Sequence, residues 1–158
     1  MKILFFIGFF AMPFVVLSQN SDYQIASYKN KGAKAPNTYY IGEAHLNALL
    51  GADEDFEYNI TKATFKANST LDWHKHASVQ ILIVVEGEGF YQERGKEPMI
   101  MKEGNVIKCA SGIEHWHSST KTSDVTYLAL YGGGKPTTWT EVVTQEYYDA
   151  VAEKLNRN

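Results

Sequence analysis

From Glu57 onward the sequence is a series of short runs rich in β-branched and aromatic residues, separated at nearly regular spacing by turn formers. Such runs predict β-strands, and their even spacing favours a sandwich or barrel over alternating βα units. The strands we expect are Glu57 to Lys66, Leu71 to Lys75, Val79 to Val85, Gly89 to Arg94, Pro98 to Met101, Val106 to Ala110, His115 to Ser118 and Val125 to Tyr131. This all-β pattern suits a closed jelly-roll barrel, which leaves few exposed sheet edges.

The start of the chain has a different character. Lys2 is followed by an almost unbroken apolar run from Ile3 to Leu17, and the sequence becomes polar from Gln19 onward. This layout is typical of a secretory signal peptide, and the run is shorter than the roughly 20 residues that a membrane-spanning helix needs. We therefore expect residues 1–18 to be a signal peptide cleaved after Ser18. The mature protein would then be exported, to the periplasm or beyond.

The remaining chain has the length of one domain. Residues 19–38 are polar and without clear periodicity, which predicts an extended N-terminal arm, and residues 39–158 would form the domain itself. The segment from Tyr39 to Asp55 mixes apolar residues with turn formers. It fits a short strand followed by a helical turn.

The C-terminal segment has helical spacing. Tyr147, Val151 and Leu155 recur every four residues behind Thr144, a good N-cap. We expect one short amphipathic helix that packs its apolar stripe on the barrel.

Composition excludes some classes of partner. The formal net charge is −3, which argues against nucleic-acid binding, and no membrane contact is expected after signal cleavage. The single cysteine, Cys109, cannot form an internal disulfide. It is interpreted as a small buried side chain.

Four of the five histidines lie in two His-x-His pairs, His74 with His76 and His115 with His117. Residues two apart on a strand point the same way, so the pairs could aim four imidazoles at one volume inside the barrel. Buried imidazoles facing one another lack partners for their polar atoms. A divalent cation supplies that partner, since neutral imidazole is the commonest metal ligand.

Gln80 has the same parity as His74 and His76 and opens an otherwise apolar strand, so its amide oxygen is a candidate fourth ligand. The alternative is that Gln80 only hydrogen-bonds a turn. His45 stands alone and is expected at the surface or at a helix end. Trp73 and Trp116 flank ligand candidates and should point to the opposite face, into packing.

The stretch Trp73-His74-Lys75-His76-Ala77-Ser78-Val79-Gln80, followed by a glycine turn at Glu86-Gly87, resembles the first cupin motif. The run from Glu103-Gly104 to His115-Trp116-His117 is similar to the second motif. More narrowly, the chain resembles small bacterial cupins that include the manganese-dependent hydroxynitrile lyases. The resemblance implies a cupin double-stranded β-helix over most of the mature chain.

The same resemblance implies roles for individual residues. His74, His76, Gln80 and His115 would hold the metal, and His117 would stand beside the open position as a catalytic proton carrier or as a group that only orients His115. Tyr127 would contact the substrate, in a place where some of those lyases have histidine. Manganese is favoured as the one divalent metal per chain, with zinc, nickel, iron and copper open.

Three imidazoles and an amide leave the charge of a divalent ion unneutralised, so the site should act as a strong Lewis acid. The leading hypothesis is a metal-dependent lyase that acts on a small oxygenated molecule. The alternatives are an exported, non-catalytic binder of a small anion or sugar acid, and a metal-dependent oxygenase. A homodimer is expected by analogy with cupins of this size.

Overall fold

The computed structural model describes residues 26–134 and 136–157. The predicted signal peptide lies outside these residues. Within them the chain forms short antiparallel strands and one C-terminal helix. The strands are β1 (Ala33–Lys34), β2 (Tyr40–Ile41), β3 (Ala44–Leu50), β4 (Tyr58–Phe65), β5 (Thr70–Leu71), β6 (Trp73–Lys75), β7 (Gln80–Glu93), β8 (Met99–Lys102), β9 (Val106–Cys109), β10 (His115–Ser119), β11 (Val125–Gly132) and β12 (Thr138–Glu141), and the helix is α1 (Gln145–Asn156).

The strands form two sheets that share β7. Along the main path the order is β1, β3, β4, β11, β7, β10, β5 and β2, with β6 beside β10 and β12. The N-terminal half of β7 pairs with β11 and β9, and its C-terminal half pairs with β10 and β8. The all-β barrel with a short C-terminal helix that the sequence predicts is therefore confirmed.

A bend inside β7 corrects the prediction of two separate strands there. Gly87 adopts φ +73°, and a Cβ at this position would lie 2.0 Å from the carbonyl oxygen of Asp124. Only glycine fits this close approach. The turn signal at Glu86-Gly87 thus bends one strand of 14 residues instead of ending it.

Conversely, one predicted strand, Leu71 to Lys75, is two strands in the structure, because β5 and β6 are separated at Asp72. Its backbone N–H donates to the carbonyl of Tyr39, and its carboxylate accepts from the backbone N–H of Val143. Asp72 therefore holds both Tyr39, just before β2, and Val143, just before the helix. The chain then continues as β6, which carries the first histidine pair.

The predicted helical turn before Asp55 is wrong, because residues Ala44–Leu50 form a strand. They pair with β4 on one side, and Ala33–Lys34 of the N-terminal arm pair with them on the other. The surface position predicted for His45 is also wrong. The residue is 7% exposed, and its Nε2 lies 2.9 Å from Glu43 Oε1. Pairing on both sides overrode the weak local pattern.

The C-terminal helix begins behind Thr144, whose hydroxyl accepts from the backbone N–H of Tyr147, as predicted. The aromatic residue buried against the barrel is Tyr148, however, and Tyr147 is 38% exposed. The predicted packing role of Trp73 and Trp116 is confirmed. Both are buried, and the two rings lie 6.3 Å apart on the side of the sheet that faces the helix.

The core is formed by the inward faces of both sheets, with Phe65, Leu82, Val84 and Met101 among its fully buried members. Cys109 is buried there, as predicted. In the part of the chain that the structure describes, no helix has the length and hydrophobicity to cross a membrane.

Candidate metal centre

The two His-x-His pairs meet inside the barrel. Strands β6 and β10 are antiparallel neighbours, and their register places His115 opposite His74. The ring centroids of these two residues are 4.3 Å apart, and the His74 ring lies 5.1 Å from His76 and 5.2 Å from His117. All four side chains are buried. The predicted convergence of four imidazoles is therefore found in the structure.

Each imidazole is fixed by a hydrogen bond at its Nδ1 atom. His74 and His115 use the carbonyl oxygen of the residue two positions earlier, and His76 and His117 use side-chain hydroxyls from other segments. The partners, in the order His74, His76, His115 and His117, are the carbonyl of Asp72 (3.0 Å), the hydroxyl of Thr137 (3.3 Å), the carbonyl of Ile113 (3.0 Å) and the hydroxyl of Tyr127 (2.7 Å). Such outer contacts are how metal-binding histidines are usually oriented.

Two Nε2 atoms of the cluster have no partner in the described part of the chain, and a third faces an amide oxygen. Those of His76 and His117 are buried with no hydrogen bond among the described residues. The Nε2 atom of His115 lies 2.9 Å from Gln80 Oε1. Because Nδ1 of His115 donates to a carbonyl, its neutral ring presents a lone pair at Nε2, so two acceptor atoms face each other. A cation at this place would satisfy both atoms.

Distances within the cluster fit a single ion. One ligand atom from each of His74, His115 and His117 lies within 4.8 Å of the others. Metal–nitrogen bonds of about 2.1 Å place ligand atoms about 3–4 Å apart around one ion, so small side-chain movements would bring these three atoms onto a single ion. This group contains His117, which the resemblance assigns to proton transfer, and leaves out His76, which the resemblance assigns to the metal. Both residues have an unpaired Nε2 in the same cluster.

The protonation state also suits metal binding. Burial lowers the pKa of His74, His76, His115 and His117, and for His76 the pKa falls to about 4. Repulsion between protonated neighbouring rings further lowers the pKa of His74, His76 and His117. The four rings are therefore neutral near pH 7, which is the form that binds a metal.

A cavity of about 100 Å³ opens beside the imidazoles. Its lining is mainly aromatic and aliphatic, with hydroxyl groups and one amide. The lining residues are Tyr40, Leu46, Thr61, Ala63, Phe65, Leu71, His74, His76, Gln80, His117, Tyr127, Ala129, Tyr131, Thr137 and Trp139. Burial raises the pKa of Tyr40 to about 12 and raises that of Tyr127, so both phenols stay neutral.

Sequence reasoning missed several residues of this cavity. Tyr131 and Ala129 alternate with Tyr127 on β11, so strand parity could have placed them at the site. Trp139 lies on β12, opposite His74, and its ring is 5.0 Å from that histidine. Thr137 gave no sequence signal, because its contact with His76 depends on how a glycine-containing loop returns to the barrel.

Comparison with known proteins places the chain in a family. A family model described as "Cupin domain" matches residues 62–131. An (R)-mandelonitrile lyase from Granulicella tundricola is 31% identical over 117 residues, which cover 73% of this chain and 89% of that protein. The chain belongs to the cupin superfamily.

Solved structures agree with this assignment. A cupin-like protein from Thermotoga maritima superposes with a TM-score of 0.75 and 30% identity, over 80% of this cupin and 98% of that chain. A predicted oxalate decarboxylase from the same organism gives a TM-score of 0.60 at 22% identity, over 73% of this cupin and 98% of that chain, which supports the fold alone. This cupin thus combines the jelly-roll fold with a histidine group that could hold a divalent metal ion.

Proposed function

We propose that this cupin is a metal-dependent lyase that acts on a small oxygenated molecule. The observation that carries the proposal is the pair of opposed acceptors, His115 Nε2 and Gln80 Oε1, 2.9 Å apart within a buried cluster of neutral imidazoles. The named activity of the Granulicella tundricola relative supports the lyase class.

The proposed ligands are His74, His76, Gln80 and His115. The first and last are held by the backbone carbonyls of Asp72 and Ile113, which lie just before β6 and β10, so their Nε2 lone pairs are fixed toward the cluster. His76 contributes the buried, unpaired Nε2 described above, and Gln80 contributes its amide oxygen. None of these donors is charged, so the ion would keep its full positive charge.

We propose manganese as the resident ion. Cys109, the one cysteine of the chain, is hydrogen-bonded to the hydroxyl of Tyr91 at 3.0 Å, and burial raises the pKa of its thiol to about 11. It therefore offers no thiolate, and a site of nitrogen and oxygen donors suits manganese along with zinc, nickel, iron or copper.

When bound, a divalent ion of this kind would act as a Lewis acid that stabilises negative charge on a substrate oxygen. We assign the proton transfer to His117, because its Nε2 has no hydrogen bond among the described residues, its ring is neutral and its side chain lines the cavity. In the tautomer whose Nδ1–H donates to the Tyr127 oxygen, the Nε2 lone pair would accept a proton from a substrate hydroxyl, and the ring would return that proton to the leaving group. Tyr127 orients the ring through Nδ1 and would contact the substrate from the same wall of the cavity.

Metal content and activity together test the proposal. Elemental analysis of the purified protein should give about one divalent ion per chain, and turnover of small cyanohydrins or hydroxy compounds should depend on that ion. His117→Ala should keep the metal and lose turnover. Retained turnover in His117→Ala at unchanged metal content would contradict the proton-carrier role.

The same assays separate the alternative functions. A non-catalytic binder would be stabilised by its ligand, with no product formed under any metal. An oxygenase would consume oxygen with diketones or phenolics. The absence of a carboxylate ligand from the proposed set argues against the facial triad of many iron oxygenases.

We further propose that the mature protein is exported and forms a homodimer. The outward face of β4, β11 and β7 supports self-association, because it carries half-buried aliphatic residues whose parity is opposite to the cavity lining. Examples are Ile60, Leu128, Leu130, Ile81 and Ile83. A monomeric mass by light scattering would contradict the dimer, and N-terminal sequencing of the secreted protein tests cleavage after Ser18.

A further inference from the structure

The size of the cavity limits what can reach the proposed metal. Its volume is about 100 Å³, and part of that volume adjoins the imidazoles. In another protein, an apolar cavity of about 150 Å³ is large enough to hold benzene. By that standard the cavity here is too small for an aromatic ring and has room for about four to five non-hydrogen atoms.

The outer wall is fixed in place by stacking. Trp139 is stacked on Tyr39 with ring centroids 4.3 Å apart and planes 1° from parallel. Its other contacts are with the rings of His74, at 5.0 Å, and Tyr40, at 6.2 Å. Because β12 is also paired with β6, Trp139 cannot move aside without losing its stacking on Tyr39 and its contact with His74.

The wall beside His76 is fixed by both stacking and hydrogen bonding. The ring of Tyr131 lies 5.5 Å from that of His76 and 28° from parallel, and its hydroxyl is 3.2 Å from Thr61 Oγ1. Tyr131 and Thr61 lie on neighbouring strands, β11 and β4. This wall is therefore part of the sheet itself.

The inner wall is closed by Phe65, which is fully buried and stacked on Tyr127 at 5.8 Å. The free space exists because the neighbouring inward positions on β4 and β11 are the alanines Ala63 and Ala129. Larger side chains there would fill it. The room for a ligand is set by these two small residues between rigid aromatic walls.

The chemistry of the lining is equally restrictive. Among the described residues that line the cavity, none is Lys, Arg, Asp or Glu. The polar groups are imidazoles, one amide and the hydroxyls of tyrosine and threonine. A fitting ligand has one oxygen function that faces the imidazoles and a short hydrocarbon remainder.

We infer that the substrate of this cupin is a short aliphatic oxygen compound of about four to five non-hydrogen atoms, such as a small aliphatic hydroxynitrile, aldehyde or hydroxy acid. The inference rests on the proposed function and names its substrate class. A molecule with a phenyl ring, mandelonitrile included, exceeds the size limit that Trp139, Tyr131 and Phe65 set.

Carboxylates of increasing size test the limit without knowledge of the reaction. Calorimetric titration of the manganese-loaded protein with acetate, propionate, isobutyrate and benzoate should show binding of the small acids and at least tenfold weaker binding of benzoate than of propionate. Benzoate binding as tight as propionate binding would overturn the inference. Failure of every carboxylate to bind would count against the Lewis-acid site, which belongs to the proposed function.

A pair of uncharged probes decides the size question in that case as well. Chemical shifts of the metal-free protein should respond to acetone and not to acetophenone at equal concentration. An equal response of the cavity residues to both probes would refute the size limit, whatever the metal does.

Two enlarged variants complete the test. Trp139 and Leu46 both line the cavity, and Trp139→Ala and Leu46→Ala should each reduce the preference for propionate over benzoate to threefold or less. Val142→Ala should leave the preference unchanged, because Val142 is 60% exposed and does not line the cavity. Unchanged selectivity in both enlarged variants would show that these walls do not set the limit.

Discussion

Substitution of Tyr127 by phenylalanine removes one oxygen atom from the interior of the barrel and leaves the ring in place. The side chain is 1% exposed, and its hydroxyl lies 2.7 Å from His117 Nδ1. Without the hydroxyl, that nitrogen stays buried and unpaired, which costs about 1–2 kcal/mol. In a domain of this size we expect the melting temperature of the metal-free protein to fall by about 4–8 °C.

The same variant separates the two possible roles of His117. If His117 is a metal ligand, Tyr127 orients a ligand, and its removal should weaken metal binding by about 10–100-fold. If His117 carries protons and the ion is held by His74, His76, Gln80 and His115, metal affinity should stay within about threefold of wild type. We expect the second result. Manganese titration followed by equilibrium dialysis measures it directly.

Tyr131→Phe is the matched control for this experiment. Tyr131 lies on the same face of the same strand, is half-buried, and uses its hydroxyl at 3.2 Å from Thr61 Oγ1 instead of a histidine. It should lose less than about 1 kcal/mol. A tenfold loss of metal affinity in Tyr127→Phe, with none in Tyr131→Phe, would refute the assignment of His117 as a proton carrier. Unchanged stability of Tyr127→Phe would refute the energetic argument.

Three further predictions concern the ligand set and the fold. Gln80→Glu should tighten manganese binding and weaken anion binding, since the carboxylate neutralises part of the ion's charge. Unchanged metal content and affinity would mean that Gln80 is not a metal ligand. Partial burial opposes ionisation of Asp124, but hydrogen bonds from Lys66 (2.6 Å) and the Ala67 N–H (2.7 Å) lower its pKa overall. Wild type should therefore be more stable to unfolding than Asp124→Asn by about 1 kcal/mol. This difference should be complete above the unfolded-state pKa near 4 and should vanish as the pH falls through the lower folded-state pKa. Urea unfolding between pH 2.5 and 7 measures it, and a difference that persisted in acid would contradict the argument. Gly87→Ala should lower the free energy of unfolding by more than about 2 kcal/mol. Gly95 has a similar φ of +78° with open space around it, so Gly95→Ala should lower it by about 1 kcal/mol. Equal losses of stability in thermal melts would contradict the close-contact argument.

The parts of the fold with strong alternation or clear spacing could be predicted from the sequence. The strands β4, β9, β10 and β11, the N-cap at Thr144 and the convergence of the histidine pairs are all consequences of local pattern. The family resemblance rested on the same motifs. The chain segments that failed are those whose conformation depends on partners far away in sequence.

β3 illustrates why such segments fail. Its residues Ala44–Leu50 have a weak pattern by themselves, and they become a strand because β1 and β4 supply hydrogen bonds on both sides. At Gly87 the sequence shows a turn signal, which predicts the end of a strand. It does not show that strand pairing continues through the bend, as it does in β7. Thr137 and Trp139 could not be assigned to the site, since nothing local shows that β12 returns to the histidine strand.

The four histidines differ in how their orientation is encoded. For His74 and His115 the orienting carbonyl belongs to the same short stretch of chain, so the geometry would be retained wherever that stretch forms a strand. For His76 and His117 it depends on hydroxyls borrowed from distant segments. Single substitutions at Thr137 or Tyr127 during evolution could therefore change the orientation of His76 or His117 while all four histidines are retained. Divergence of reaction among related proteins would then be found at these supporting positions before it reached the histidines themselves.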